Sequence, residues 1–357
     1  VPEISVPDEN TCTYMFTQTD YKFQKNDFGI VNLAMINKTN LRGKANENFV
    51  VHNFKIKDQN INCGWSLSFF AQFPVNVKGL FLFMKDTPAR QKKFAFTNFS
   101  ELDIHFDSEF KDFLFLFQNG LSKVTSFPLF LGYETINNQV HWQVAMINKN
   151  KSPFCKNYFL KGNIYVPEIR VNSDNISWAK VFDSSYNYFF GRGKLSEKIT
   201  ESRILIIGIG AVGSMVAKTL ARCGCRFLDL ADYDIKIPEN VCRSEYTFSH
   251  GVSEKVFELG YNLICTSPFV TINTFNTQNI FFEMIKSNYK KRDNYLECTR
   301  LLNSYDLIFD CTTDDDLMYV LDSFDLNCDI INLSISNHAK DLVCAFYPNI
   351  YNFVCAA

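Results

Sequence analysis

Hydrophobic positions follow two different patterns along the 357 residues of the chain. Over residues 48–148, short runs rich in Phe and β-branched residues are separated by turn residues, which is typical of β-strands. The predicted strands are 49–56, 65–73, 80–84, 93–99, 113–117 and 140–147. Asn137 and Asn138 stand between two apolar segments and predict the tip of a hairpin. We therefore expect a β-rich α+β domain over residues 1–190, with a helix or two between its strands.

The pattern changes after a polar stretch that ends near residue 201. A strand is predicted at 203–207, where residues 204–207 are apolar without alternation, as a strand buried on both faces requires. Apolar positions at helical spacing follow over 211–223, and Gly224 stands where a helix would be capped. Further strands are predicted at 227–230, 271–275, 306–309, 330–334 and 342–346, with helices at 253–264 and 315–326. Strands that alternate with helices predict an α/β domain over 191–357, with a Rossmann-like, doubly wound and mostly parallel sheet.

A glycine motif lies between the first strand and the first helix of this second domain. The motif is Gly-x-Gly-x-x-Gly, formed by Gly208, Gly210 and Gly213. The first glycine allows a tight turn, the second lets a phosphate approach the backbone, and the third permits close helix packing. Asp232 ends the second strand, where a carboxylate can accept hydrogen bonds from ribose hydroxyls. The sequence therefore predicts a nucleotide site.

The segment after Asp232 distinguishes ATP from a dinucleotide. Backbone N–H groups and a helix dipole can bind the pyrophosphate of a dinucleotide. The β- and γ-phosphates of a triphosphate need side-chain cations as well. Arg243 and Lys255 supply such cations, and Asn240 precedes them. This set favours ATP.

An acidic loop follows the strand predicted at 306–309. It contains Asp310 and the run Asp314 to Asp316, and carboxylates at the carboxyl end of a strand can bind Mg²⁺ beside phosphates. Acidic residues at this place are also typical of a helix N-cap and first turn. Asp314 is the candidate metal ligand, and the capping role stays open beside it.

The order of these motifs resembles the adenylating family that includes ThiF, MoeB, HesA and the ubiquitin-activating enzymes. The resemblance covers about residues 203–348 and rests on Gly-x-Gly-x-x-Gly, Asp-x-Asp, Asn-x-x-Arg and Lys in that order. It implies that Asp232 holds the ribose, that Asn240, Arg243 and Lys255 hold the triphosphate, and that the acidic loop holds Mg²⁺. In that role, Arg243 and Lys255 would be catalytic as well as binding residues. The family usually has Asp-x-x-Asp, whereas one extra residue separates Asp310 from Asp314 here.

Members of this family join the C-terminal carboxylate of a ubiquitin-like protein to AMP. Some pass the activated protein through a cysteine thioester to a conjugating enzyme, and many work as dimers, so the resemblance is compatible with a homodimer. Cys355 is the one cysteine beyond the last predicted strand. Either Cys355 forms the thioester, or a missing segment carries that cysteine and the domain is incomplete at its C-terminus, or the enzyme stops at the adenylate.

The first domain carries no motif that assigns a reaction to it. We expect a catalytically silent partner, either an inactive adenylation-like half or a conjugating-enzyme-like fold. Two other functions remain open for the whole chain, an NAD-dependent oxidoreductase and a nucleotide-sensing protein without turnover. The oxidoreductase predicts a hydride-transfer partner near the glycine turn, and no His or Tyr-Lys pair stands out there.

Composition narrows the classes of partner and the compartment. The formal net charge of −2 gives no broad positive field for nucleic acid. Apolar runs are far shorter than the roughly 20 residues of a membrane span. The 12 cysteines show no Cys-x-x-Cys pair or disulfide framework, and reduced thiols fit a cytoplasmic protein without an export signal. We therefore expect no nucleic-acid or membrane partner.

Overall fold

The computed structural model describes residues 12–41, 44–85, 96–121, 125–135, 138–161, 164–276 and 292–347. The chain divides into two compact units, and the division does not follow chain order throughout. The first unit takes the residues up to 64 and 73–189, and the second takes 65–72 and the residues from 190 onward.

The described residues up to 190 form eleven strands and three short or medium helices. The strands are β1 (Thr13–Thr17), β2 (Phe28–Leu41), β3 (Lys44–Ile56), β4 (Gln59–Asn62), β5 (Val77–Phe83), β6 (Ser126–Glu134), β7 (Val140–Asn148), β8 (Phe154–Lys161), β9 (Ile164–Val171), β10 (Ser177–Trp178) and β11 (Lys180–Asp183). The helices are α1 (Leu67–Gln72), α2 (Ser108–Gly120) and α3 (Tyr186–Phe190), with 3₁₀ turns at Phe99–His105 and Lys149–Lys151.

Nine of these strands form one mixed sheet in the first unit. Its order is β10-β7-β6-β5-β2-β3-β1-β11, with β4 paired to β3, while β8 and β9 form a separate antiparallel ribbon. Aromatic side chains fill the core: Phe54 stacks on Trp142 with ring centroids 4.8 Å apart, and Phe81 packs edge-on to Phe54 at 5.1 Å. The heavy Phe content therefore serves packing, since each such ring buries a large apolar area.

Two strands predicted in this half are helices, and those predictions were wrong. The predicted strand 65–73 is α1, and the predicted strand 113–117 lies inside α2. In both cases a polar side chain caps the helix start: Ser66 Oγ accepts the Phe69 N–H at 3.1 Å, and Asp107 Oδ1 accepts the Phe110 N–H at 2.8 Å. These caps outweigh the β-propensity of Phe, because they satisfy N–H groups that a helix start leaves open.

Other predictions in this half had mixed outcomes. The predicted strand 93–99 lies partly outside the described residues, and its last residue, Phe99, begins a 3₁₀ turn. The hairpin around residues 137–138 is confirmed by the antiparallel pairing of β6 and β7, although Asn137 itself lies outside the described residues.

The second unit contains the remaining elements. Its strands are β12 (Arg203–Ile207), β13 (Phe227–Ala231), β14 (Ile235–Lys236), β15 (Ser253–Glu254), β16 (Thr271–Phe275), β17 (Leu307–Asp310), β18 (Asp329–Ser336) and β19 (Asp341–Tyr347). Its helices are α1, already given, and α4 (Glu197–Thr200), α5 (Ala211–Arg222), α6 (Pro238–Val241), α7 (Lys255–Thr266), α8 (Arg292–Leu302) and α9 (Asp315–Asp322), with 3₁₀ turns at Gly191–Gly193 and Phe248–His250.

The main sheet of this unit is parallel except at one edge. Its order is β16-β13-β12-β17-β18-β19, and only β19 runs antiparallel to its neighbour. Ile204, Leu205, Ile206 and Ile207 are fully buried, as a central strand covered on both faces requires. The prediction of a Rossmann-like, doubly wound sheet is confirmed, except that the first two residues of the predicted helix 253–264 form β15.

Helix α1 packs against the edge of this sheet although it lies more than a hundred residues earlier in the chain. The Ser66 N–H donates to the Pro268 carbonyl at 2.8 Å, and the Ile272 N–H donates to Ser68 Oγ at 3.5 Å. Trp65 and Phe69 are buried, at 6% and 8% exposure. The sheet edge beside β16 is therefore covered by a segment from far upstream. Among the described residues, no helix has the length and apolar character that crossing a membrane would need.

Candidate functional site

The chain reverses its winding direction between β12 and β17, which are neighbours in the sheet. On one side of this point the sheet continues outward through β12, β13 and β16. On the other side it continues through β17, β18 and β19. In open α/β sheets the crevice at such a point, beyond the carboxyl ends of the strands, is where ligands bind. The glycine motif follows β12 directly, and the acidic loop follows β17, so sequence and topology place the site at the same point.

The three glycines have different geometric tasks. Gly208 has a φ of +77°, and a Cβ there would stand 2.9 Å from the backbone N of Thr312. A Cβ on Gly213 would stand 2.0 Å from the Gly208 carbonyl oxygen, so α5 can approach the turn only without a side chain. At Gly210 a Cβ would meet nothing within 4 Å. The space in front of Gly210 is therefore open to a ligand, whereas Gly208 and Gly213 are required by packing.

Asp232 is held rigidly at the end of β13. Its Oδ2 accepts the Ile209 N–H at 2.9 Å, and its Oδ1 accepts the Asp234 N–H at 2.8 Å. Burial raises the pKa of Asp232, and the two N–H groups and Lys255 only partly oppose that effect. A carboxylate has about four acceptor positions, so two remain for hydroxyl donors of a ligand.

Lys255 begins α7 and extends into the same space. Its Nζ lies 2.7 Å from Asp234 Oδ2 and 3.9 Å from Asp232 Oδ1, and only 8% of its side chain is exposed. A cavity of about 150 Å³ brings these groups together. Its lining consists of Gly208, Gly210, Asp232, Tyr233, Asp234, Lys255, Cys311 and Thr312.

Asn240 and Arg243 do not line this cavity. Asn240 caps α6, with its Oδ1 accepting the Ile237 N–H at 3.0 Å, and the Arg243 side chain is exposed. The backbone N–H of Arg243 donates to the Asn240 carbonyl at 3.3 Å, so the two residues share one turn. The structure thus brings four of the predicted nucleotide-binding residues to the cavity and leaves these two, with Gly213, outside its lining.

A buried ion pair fastens the segment between Asp232 and Lys255 to α7. Lys236 Nζ lies 2.5 Å from Glu258 Oε2, and the two side chains are only 1% and 2% exposed. Lys236 also donates to the Thr247 carbonyl at 2.7 Å, and Glu258 accepts the Ser253 hydroxyl at 2.6 Å. Burial alone would raise the pKa of Glu258, but the hydrogen bonds from Lys236, Ser253 and Thr247 outweigh it and lower that pKa.

The sequence interpretation missed Asp234 as a site residue and missed this ion pair. Asp234 belongs to the Asp-x-Asp motif, which was the available signal. For Lys236 the signal was a lone charge between Ile235 and Ile237, in a stretch of otherwise apolar and turn residues. Its partner Glu258 lies 22 positions away, and no local pattern connects the two.

The acidic loop contains one buried and one capping carboxylate. Asp310 is 2% exposed; its Oδ1 accepts the Thr312 hydroxyl at 2.6 Å and its Oδ2 accepts the Asn332 amide at 2.8 Å. Burial raises the pKa of Asp310, although these hydrogen bonds act the other way. Asp314 caps α9, with its Oδ1 accepting the Leu317 N–H at 3.1 Å. Thr313 between them has a φ of +56°, which is unusual for a residue with a branched side chain.

The residues present are compatible with Mg²⁺ only as a partner of a nucleotide. In the described part of the chain, no three His, Cys, Asp or Glu side chains gather as a metal cluster. Mg²⁺ beside a nucleotide needs only one or two carboxylates, because phosphates and water supply the other ligands. Asp314, the predicted metal ligand, caps α9 through its Oδ1.

The cysteine predicted for a thioester lies outside the described residues, because these end at residue 347 and Cys355 follows. Cys311 lines the same cavity, but burial first and the charge of Asp310 second raise its pKa to about 12. A thiol with that pKa is a poor nucleophile at neutral pH. Eleven cysteines among the described residues are free thiols.

Comparison with known proteins finds similarity in the later part of the chain. Residues 182–330 match the ThiF family. A segment of 166 residues, 46% of the chain, is 25% identical to the ATP-dependent ubiquitin transferase-like protein Cap2 of Enterobacter hormaechei. A segment of 80 residues, 22% of the chain, is 38% identical to ubiquitin-like modifier-activating enzyme 5 of Drosophila erecta.

These matches cover small parts of the relatives. The chain spans 26% of the Enterobacter protein and 20% of the Drosophila protein. Among solved structures, Escherichia coli MccB is similar over 43% of this chain and 42% of its own, with 16% identity and a TM-score of 0.34. The E. coli tRNA N6-threonylcarbamoyladenosine dehydratase TcdA is similar over 35% of this chain and 48% of its own, with 19% identity and a TM-score of 0.28.

Proposed function

We propose, on the premise that residues 182–330 form a ThiF-family domain, that the chain uses ATP to adenylate the C-terminal carboxylate of a ubiquitin-like protein. The observation that carries this proposal is the cavity at the reversal point of the sheet, where Gly210, Asp232 and Lys255 meet. The open backbone at Gly210 leaves room for a phosphate. Asp232 can accept hydrogen bonds from the ribose hydroxyls, and the nearly buried ammonium of Lys255 can pair with further phosphates.

The ammonium of Lys255 favours a triphosphate over a dinucleotide. A charge that is 8% exposed needs an anion beside it, and the phosphates of ATP bring several. Asn240 in α6 and Arg243, which follows this helix, are expected to close on the phosphates when ATP is bound. The oxidoreductase alternative is less well supported, because the described part of the lining contains no histidine. Tyr233 and Lys255 both line the cavity, but the Lys255 ammonium is paired with Asp234 at 2.7 Å.

The reaction needs no general base, because the attacking carboxylate is already an anion at neutral pH. One of its oxygens bonds to the α-phosphorus, and the bond from that phosphorus to the bridging oxygen of pyrophosphate breaks. Lys255 and Arg243 stabilise the negative charge that gathers on the phosphoryl oxygens and on pyrophosphate. Mg²⁺, held by Asp314 and the phosphates, would add further positive charge there. Catalysis then consists of positioning and electrostatics.

The relatives support a protein substrate. One is named a ubiquitin transferase-like protein and another a ubiquitin-like modifier-activating enzyme. We propose that the activated protein passes to a conjugating enzyme in the cytoplasm, through Cys355 or a cysteine on another segment. A homodimer is the arrangement we propose first for the whole protein.

The first unit is proposed to be a catalytically silent partner. Cys63 is 6% exposed, and the His52 side chain is 7% exposed with its Nε2 2.7 Å from the Phe73 carbonyl oxygen. Burial lowers the pKa of His52, so this histidine is neutral at pH 7. Neither residue is accessible to a protein substrate.

ATP–pyrophosphate exchange tests the proposal. The assay compares the wild-type chain with and without the ubiquitin-like protein encoded beside this gene. Lys255→Ala is the site variant and Lys198→Ala the matched control, because Lys198 is an exposed lysine of α4. Exchange that requires the ubiquitin-like protein and Lys255, but not Lys198, is the expected result. Binding of ATP without exchange under any of these conditions would instead favour a nucleotide sensor.

A further inference from the structure

The two carboxylates beside Lys255 are held in different ways. Asp232 has 8% of its side chain exposed and both of its oxygens accept backbone N–H groups. The Asp234 side chain is 54% exposed, and Lys255 Nζ, at 2.7 Å, is the one polar partner of its carboxylate within the described ranges. One carboxylate is therefore fixed, and the other can rotate into water.

The main chain keeps Asp234 and Lys255 together even when their side chains separate. The Lys255 N–H donates to the Asp234 carbonyl at 3.2 Å. Their neighbours in the chain, Ile235 after Asp234 and Glu254 before Lys255, are paired in the small antiparallel sheet of β14 and β15. The Asp234 carboxylate can leave Lys255 by side-chain rotation alone, and it stays within reach for a return.

The ammonium of Lys255 has little access to water, so an anion must accompany it in every state of the site. Asp234 Oδ2, at 2.7 Å, is the nearer of the two carboxylates beside this ammonium, and Asp232 Oδ1 lies at 3.9 Å. Because the same ammonium cannot hold a carboxylate and a phosphate at full strength, the two compete for it.

We infer that Asp234 is a positioning residue that holds Lys255 in the empty site, yields it to the phosphates of ATP, and takes it back as pyrophosphate leaves. The exchange breaks no covalent bond, and the proton stays on the Lys255 nitrogen throughout. This inference rests on the proposed function, since it assumes that the cavity takes ATP. Its consequence is a lower affinity for ATP and for pyrophosphate than Lys255 alone would give, and a faster release of pyrophosphate.

Calorimetric titration of the full chain with inorganic pyrophosphate and with a non-hydrolysable ATP analogue tests the inference without the protein substrate. Asp234→Asn is the test variant. Glu239→Gln is the matched control, because it removes one negative charge from an exposed side chain of the same segment. Lys255→Ala and the double variant with Asp234→Asn complete a cycle that isolates the pairwise effect.

Asp234→Asn is expected to tighten pyrophosphate binding by about threefold to fivefold, the range for a partly exposed ion pair. Glu239→Gln should change it by less than about twofold, and Asp234→Asn should have no such effect in the Lys255→Ala background. Asp234→Glu, which keeps the charge, should move the affinity back towards wild type. In exchange assays Asp234→Asn should lower KM and kcat together.

Weaker or unchanged pyrophosphate binding in Asp234→Asn would overturn the inference, as would equal tightening in the Lys255→Ala background. The proposed function would survive either result if wild-type protein binds the ATP analogue. A wild-type chain that binds neither ligand would remove the proposed function as well.

Discussion

Two lysines, one on either side of the segment 237–254, form ion pairs with carboxylates that differ in their exposure to solvent. Lys236 and Glu258 are both almost fully buried, and each has further hydrogen bonds within the protein. Lys255 is nearly as buried, but its partner Asp234 is half exposed. The first pair can only be broken by unfolding the loop, whereas the second can exchange partners. Under the proposed function, the exposure of the carboxylate, and not the burial of the lysine, distinguishes the functional ion pair from the structural one.

Removal of Lys236 is expected to have the largest effect on stability. Lys236→Met leaves the Glu258 carboxylate buried without its cation, which typically costs about 3–5 kcal/mol. Urea denaturation of this variant, with Lys198→Met as an exposed-lysine control, measures the loss. A loss of unfolding free energy equal to that of the control would mean that the Lys236–Glu258 pair does not stabilise the fold. The two ion pairs would then not differ in this respect.

Loss of Lys255 is expected to affect function more than folding. Lys255→Ala should lower ATP–pyrophosphate exchange by about 10²–10³-fold, as for a single lost donor to a transition state. Its free energy of unfolding should change far less than that of Lys236→Met, because Asp234 can turn to water. If Lys255→Ala unfolds as readily as Lys236→Met, Lys255 stabilises the fold in the same way as Lys236.

Acid should break the structural pair in a specific direction. The pKa of Glu258 is lowered in the folded protein, so its contribution is complete above the unfolded glutamate pKa of about 4.3 and is lost as pH falls through the folded value. Glu258→Gln should therefore be less stable than wild type at pH 7, and the two should converge in denaturation experiments as the pH falls below about 4. A difference that stays constant over this range would show that the charge of Glu258 has no part in the effect.

The smallest effect is expected at Asp234. Asp234→Asn should change the free energy of unfolding by less than about 1 kcal/mol, because its half-exposed pair is screened by solvent and Asp232 Oδ1 remains 3.9 Å from the ammonium. Thermal unfolding in parallel with Glu239→Gln checks this. A larger loss would show that Asp234 is fixed in place and could not release Lys255.

Sequence reasoning worked best where the chemistry is local. Gly208, Gly210 and Gly213 lie within six residues of one another, and the apolar run 204–207 indicates a buried strand by composition alone. The pairing of Lys236 with Glu258 could not be predicted, because it depends on how a loop folds back on α7. In the first unit, the Phe-rich run 113–117 looked like a strand because all of its residues are apolar. The stronger signal was the capping residue Asp107, which precedes the run by six positions.

The position of α1 also escaped the sequence. A six-residue segment at 67–72 offers no pattern that assigns it to a sheet whose first strand begins at Arg203. Only the buried contacts of Trp65 and Phe69 and the hydrogen bond from Ser66 to Pro268 show where it belongs.

That upstream helix has a consequence for the order of events on the ribosome. Its partner segment around Pro268 is made roughly 200 residues later, which at 5–20 residues per second is about 10–40 s. During that interval the Ser66 N–H lacks its acceptor at Pro268, and the second unit cannot be completed by its own contiguous sequence. An expression fragment that begins at residue 190 would lack this helix, so fragments for biochemical work should retain residues 65–72.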